Sequence, residues 1–218
     1  LLSLLYFILI TLLCYFSIIG IGQKIFSLNN NDLWVNNFVS FAIGLVILNI
    51  FGHLLYYLNF KSNLINLSIL LIGLYFFDFK KNQKLILKYF LINLILFSGL
   101  LVSKLHEDWS YHFSFIEQVA RHEPIIGIGN LEDIHILSSS YFTYLQKLFY
   151  LPYFEFKTIM IPTYLIYFNL VSFLIYIFLN SKKKIYIIYL SFLVVIVAKF
   201  SRLSEFGYDY LSNFFLIK

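Results

Sequence analysis

Residues 33–60 run without an Asp, Glu, Lys or Arg, and so do residues 1–23 and 158–181. About 20 helical residues cross a hydrocarbon core of about 30 Å. Each of these stretches can therefore traverse a bilayer. Charged residues are 12% of the 218 and hydrophobic residues 61%, whereas a soluble domain carries about 25% charged residues. A single soluble core could not bury that much apolar surface, and a disordered chain would not contain it. The lone cysteine, Cys14, sits inside an apolar run, which excludes a disulfide framework or a thiolate metal cluster. The expected fold class is all-α: a polytopic transmembrane helical bundle.

Six spans are expected, over residues 1–19, 38–58, 64–79, 85–102, 159–179 and 185–198, in a single membrane domain covering 1–218. Gly20-Ile21-Gly22 is read as the end of the first, and Gly73 as an interruption of the third. The formal charge of +5 does not point to nucleic acid, because the lysines fall in short clusters between apolar runs. Lys80, Lys81, Lys84 and Lys88 form one such cluster and Lys182, Lys183 and Lys184 another. Positive charge is retained on the cytoplasmic side, so both clusters are expected there and residues 103–158 form a partly helical extracytoplasmic loop. A multi-pass protein of the cell membrane follows. The opening at Leu1, with no basic stretch before the apolar run and no small-residue cleavage site, reads as a fragment of a longer protein.

The loop over 103–158 concentrates the chemistry. It carries seven of the eleven acids: Glu107, Asp108, Glu117, Glu123, Glu132, Asp133 and Glu155. It also carries four of the five histidines: His106, His112, His122 and His135. Against the acids stand Lys104, Arg121, Lys147 and Lys157. The bland reading is a solvated segment. The pair Glu107-Asp108, where the fourth span leaves the membrane, offers a general base for a hydroxyl, although Asp108 is equally placed to cap a helix over 112–121. Neighbouring residues point different ways, so one of the two acts directly, with Asp108 preferred.

His106 and His112 with Asp108 form a mixed set of the type that holds Zn²⁺ or Mn²⁺. The spacing matches no known metal motif, and a histidine bonded at a polar interface is the alternative. Arg121 and His122, before the helix-stopping Pro124, are placed for an anionic head group. Arg202 and Glu205, three apart after the last span, pair on one helical face, and Arg202 has the fork to hold a phosphate bidentately. A second loop helix is expected over 141–149. Asn49 and His53, four apart within the second span, read as helix-packing groups.

Several of these segments resemble one family: paired acids followed by Trp109-x-Tyr111-His112, then Pro124-Ile-Ile-Gly-Ile-Gly-Asn130, then the Ser138–Ser140 run, all between membrane spans. This looks like the superfamily of multi-pass glycosyltransferases with the GT-C fold. The resemblance implies transfer of a sugar from a polyprenyl-phosphate carrier to an extracytoplasmic acceptor. It implies that Asp108 or Glu107 takes the catalytic acidic position, that His112 and Tyr111 shape the acceptor site, and that Arg121 or Arg202, the latter with Glu205, meets the carrier phosphate. Partners would be the lipid-linked sugar, membrane lipids and other membrane proteins, with a divalent metal ion as the cofactor to test. Two other classes share the topology: a non-catalytic subunit or scaffold of a membrane complex, and a lipid or polysaccharide transporter. A transporter is disfavoured by the absence of internal repeats and of an ionisable line through the spans.

Overall fold

The computed structural model describes residues 2–26, 32–102, 141–152 and 158–180, with residues 189, 190 and 194. These form six helices: α1 (Leu2–Ile25), α2 (Leu33–Tyr57), α3 (Asn63–Phe76), α4 (Phe79–Val102), α5 (Tyr141–Leu148) and α6 (Ile161–Asn180). The described residues contain no β-sheet. Among them, α1 from Leu5, α2 and α6 are each long and apolar enough to cross a membrane. The expected sixth span, 185–198, lies outside the described residues apart from 189, 190 and 194.

The outside of the bundle carries large apolar side chains. Val46, Ile50 and Leu54 form an exposed row along α2, and Leu87, Leu91 and Ile95 another along α4. Residues four apart share a helix face, so these rows are continuous apolar stripes. In water they would be a costly surface; in a bilayer they face lipid. The chain is a multi-helix membrane protein.

Gly20 and Gly73 do not stop helices. α1 continues past Gly20 to Ile25, and α3 continues past Gly73 to Phe76. A Cβ on Gly20 would overlap the carbonyl oxygen of Gly73, so the missing side chains let the α1 and α3 backbones touch. On the opposite side of α1, a Cβ on Gly44 of α2 would overlap the carbonyl oxygen of Ile18. α1 is thus clamped between two neighbours, and two-thirds of its apolar window is buried (67%, against 28% for α2). Ser17 Oγ adds a 2.6 Å hydrogen bond to the Leu70 carbonyl across the α1–α3 contact.

Interior amides and tyrosines tie the remaining helices to α1. Tyr15 is 1% exposed; its hydroxyl donates to Asn169 Oδ1 of α6 at 2.8 Å, and its ring packs edge-on against Tyr89 of α4 and Phe168 of α6. One helical turn towards the N-terminus, Asn93 Nδ2 of α4 donates to Thr11 Oγ1 at 3.0 Å, and Tyr164 of α6 donates to Asn93 Oδ1. Where lipid removes most of the hydrophobic drive between helices, such bonds and close packing supply the cohesion.

The start of α2 differs from expectation. Residues 33–37 were expected in a connecting stretch, but Asp32 caps the helix there by accepting from the Trp34 N–H at 3.0 Å and the Val35 N–H at 3.5 Å. Asn37, at the start of the second turn, is buried with its amide satisfied: it donates to Asn82 Oδ1 at 2.9 Å and accepts from Gln23 Nε2 at 3.1 Å. The turn from α3 to α4 is also tighter than expected. It consists of Phe77 and Asp78 alone, and the two helices are bent by 109° there. Asp78 Oδ1 accepts the Lys81 N–H at 2.9 Å and so starts α4 before the lysine cluster, while Phe77 stacks on Phe16 of α1 at 4.7 Å. α3, with 14 residues, rises about 21 Å, short of the hydrocarbon thickness. The spans expected over 64–79 and 85–102 therefore fall on a bent pair that is long and apolar enough to cross a membrane only when the two helices are taken together.

Replacing Gly44 with Leu should separate α1 from α2 and destabilise the fold by at least about 3 kcal/mol, the upper end of the overpacking range, because backbone must move. Val46→Leu on the exposed stripe should leave thermal unfolding in detergent unchanged. Equal unfolding temperatures for the two variants would refute the clamp.

Candidate functional site

The hydrogen bonds sort the bundle into two ends. Tyr176 of α6 donates to the Asp32 carboxylate, and Gln23, Asn37 and Asn82 form a connected set. This places the α1–α2 connection, the α3–α4 corner and the C-terminal end of α6 together, with the lysine cluster of α4. The opposite end collects the α2–α3 turn and the segment that leads into α6. The loop over 103–158 leaves from α4 and returns to α6 at this second end.

The returning limb of the loop is built into the bundle. α5 is the helix expected over 141–149, and residues 143–151 are buried throughout. It lies against α2 at Gly52, where a Cβ would overlap the Tyr144 carbonyl oxygen. Beside that contact the His53 ring packs 3.9 Å from the Tyr144 ring, centre to centre, while His53 Nδ1 lies 3.0 Å from the Asn49 carbonyl oxygen. The packing role expected for His53 thus has a definite object, the loop helix.

The carbonyl groups at the end of α5 have no partner within the helix. The Lys147 carbonyl accepts the Tyr150 N–H just beyond it at 3.0 Å, and Asn66 of α3 adds a second partner: its Nδ2 donates to the Lys147 carbonyl at 3.0 Å and to the Tyr150 carbonyl at 3.2 Å. Thr158 holds the chain just beyond, donating from Oγ1 to the Phe149 carbonyl at 2.5 Å. Sequence reading passed over Asn66 because it sits in an apolar run as a single amide. Its signal was its placement at 66, on the face that also carries Leu70 and Gly73, at helical spacing.

Lys147 is the unusual group at this end. It is 3% exposed. Its Nζ donates to the Phe60 carbonyl at 3.1 Å and lies 5.5 Å from the centre of the Tyr56 ring. Burial, reinforced by the nearby positive charge of Lys61, pushes its ammonium down from 10.5 to about 8. The carbonyl and the ring face are what make a buried cation tolerable here.

The residues expected to act in catalysis or binding all lie outside the described residues: Glu107, Asp108, Tyr111, His112, Arg121, Arg202 and Glu205, and His106 of the expected metal set. Among the described residues, no group of three or more His, Cys, Asp or Glu side chains is placed to hold a metal ion. The structure thus describes the platform that carries the end of the loop, and not the loop's acidic half. No family model, curated protein or solved structure matches this chain.

The lowered pKa of Lys147 has a consequence with a definite sign. Between about 8 and 10.5 the docked helix binds fewer protons than an undocked one, so docking strengthens as pH rises through that window. Hydrogen exchange of residues 141–148 should slow, relative to intrinsic rates, from pH 7.5 to 9.5. In Lys147→Met the dependence should vanish. A wild-type pH profile as flat as that of the variant would mean that the lysine is not charged and buried together.

Proposed function

We propose that this chain is the membrane part of an enzyme that transfers a sugar from a polyprenyl-phosphate carrier to an acceptor on the loop side of the membrane. The observation that supports this reading is the docking of α5. An acid-rich segment tethered at both of its ends to a lipid-exposed bundle is held at the membrane face, where a lipid-linked donor presents its phosphate. In this reading the lysine-bearing end faces the cytoplasm and the loop faces outward.

The chemistry assigned to the loop is an inverting displacement. Asp108, with Glu107 beside it, takes the proton of the acceptor hydroxyl. The acceptor oxygen bonds to the anomeric carbon as the bond from that carbon to the carrier phosphate breaks, and the phosphate leaves with the electron pair. Tyr111 and His112 shape the acceptor side. Arg121 and Arg202, the latter steadied by Glu205, neutralise the leaving phosphate. The carrier's hydrocarbon tail lies along the exposed apolar rows of the bundle.

Asp108→Asn should lower transfer from a polyprenyl-phosphate sugar by about 10²–10⁴-fold, the usual contribution of a general base, with thermal unfolding unchanged. Unchanged transfer would remove Asp108 as the base. No transfer by the folded wild-type chain with any polyprenyl-phosphate sugar would overturn the transferase reading itself. Sensitivity of wild-type transfer to a chelator tests whether His106, His112 and Asp108 hold a divalent ion.

A further inference from the structure

At the end of the bundle away from the loop lies a cavity of about 590 Å³. It opens where the last turn of α1, the first turns of α2 and the α3–α4 corner meet. Its volume falls in the range of small-ligand sites, about 300–1,000 Å³. Gln23, Asn36 and Ser40 supply the polar part of its lining and Leu33, Tyr75 and Phe76 much of the apolar part, and Ser40 is 2% exposed. The rim is cationic. Lys24, at the end of α1, holds its Nζ 5.2 Å from the centre of the Phe76 ring, and Lys81 contributes from the first turn of α4.

The charge balance favours an anion. Asp78 also lines the cavity and keeps its charge while its Oδ1 accepts the Lys81 N–H at 2.9 Å as the cap of α4, so two ammonium groups stand against one carboxylate. Neither Lys24 nor Lys81 forms an ion pair among the described residues. Lys80, Lys84 and Lys88 follow on the same stretch of α4 and raise the local positive potential. The position matters as much as the sign. The cavity sits at the end of α1 and the start of α2, two helices long and apolar enough to cross a membrane, where the phosphates of a bilayer would lie. Basic pockets between spans at that level are suited to phosphate-bearing head groups.

We propose that this cavity binds a phosphate ester, supplied as the head group of an anionic membrane lipid. The ammonium groups of Lys24 and Lys81 meet the phosphate, and the Gln23 and Asn36 amides and the Ser40 hydroxyl meet the polar part of the head group. The inference uses none of the loop residues and stands apart from the transferase reading.

The test uses the full chain in detergent, titrated with short-chain phosphatidylglycerol, short-chain phosphatidylcholine and glycerol 3-phosphate. Phosphatidylglycerol should bind in preference to phosphatidylcholine. Lys24→Ala and Lys81→Ala should each weaken it roughly five-fold and together roughly thirty-fold, as expected for one surface lysine and for two. Lys84→Ala, at the same end but not lining the cavity, should weaken binding less than Lys81→Ala does. If alanine variants unfold, Lys24→Gln and Lys81→Gln retain polar side chains of similar reach without the charge. A loss in Lys84→Ala equal to that in Lys81→Ala, or no loss in the double variant, would overturn the site. Glycerol 3-phosphate binding as tightly as phosphatidylglycerol, with the same lysine dependence, would overturn the lipid as its source.

Discussion

The contact on which the bundle depends is the backbone-to-backbone seating of α1 between α2 and α3. Gly44 on one side and the Gly20–Gly73 pair on the other leave no room for a Cβ. Close approach sets the interhelical distances, and those distances bring the interior polar groups within reach. Ser17 meets the Leu70 carbonyl at 2.6 Å, and Tyr15 reaches Asn169 at 2.8 Å. In a membrane the lipid competes equally well for apolar side chains, so small-residue contact and satisfied polar groups carry the specificity. The same logic explains the interior asparagines. Asn37, Asn82, Asn93 and Asn169 each join two helices, and each would be costly in hydrocarbon without its partner.

This arrangement gives the molecule two chemically distinct ends. One carries the α1–α2 connection, the tight α3–α4 corner and the lysines of α4. The other receives α5 through Gly52, His53 and Asn66. The bend of 109° between α3 and α4 belongs to the first end, where Phe77 anchors the corner on Phe16. The docking of α5 belongs to the second. In the proposed function the second end holds the reactive loop at the outer face, and the first meets cytoplasmic lipid. The exposed rows on α2 and α4 then present a lipid surface from which a carrier tail approaches without leaving the membrane.

Much of the bundle was legible from the sequence because uncharged runs of this length have few alternatives. α5 was legible as well, since a short amphipathic segment after a serine run and before Leu151-Pro152 has a clear start and stop. The glycines were misjudged. Gly20 and Gly73 read as breaks, because a single sequence does not show which neighbour approaches, and a helix interior tolerates glycine when packing rewards it. The start of α2 was also missed. Asn36 and Asn37 look like connecting-loop residues until Asn82, 45 positions away, is seen to satisfy Asn37. Lys147 read as one loop charge among several, whereas the structure buries it and sets its Nζ on the Phe60 carbonyl. The expected catalytic and binding residues, Asp108 foremost, lie outside the described residues.

The central claim is that the α4 lysine cluster and the acid-rich loop lie on opposite faces of a membrane. Single cysteines at positions 84 and 108, introduced with Cys14→Ser, test it directly with a membrane-impermeant thiol reagent on intact cells. The account predicts labelling at 108 from outside, and labelling at 84 only after the membrane is opened. Labelling of both positions from the same side would contradict it.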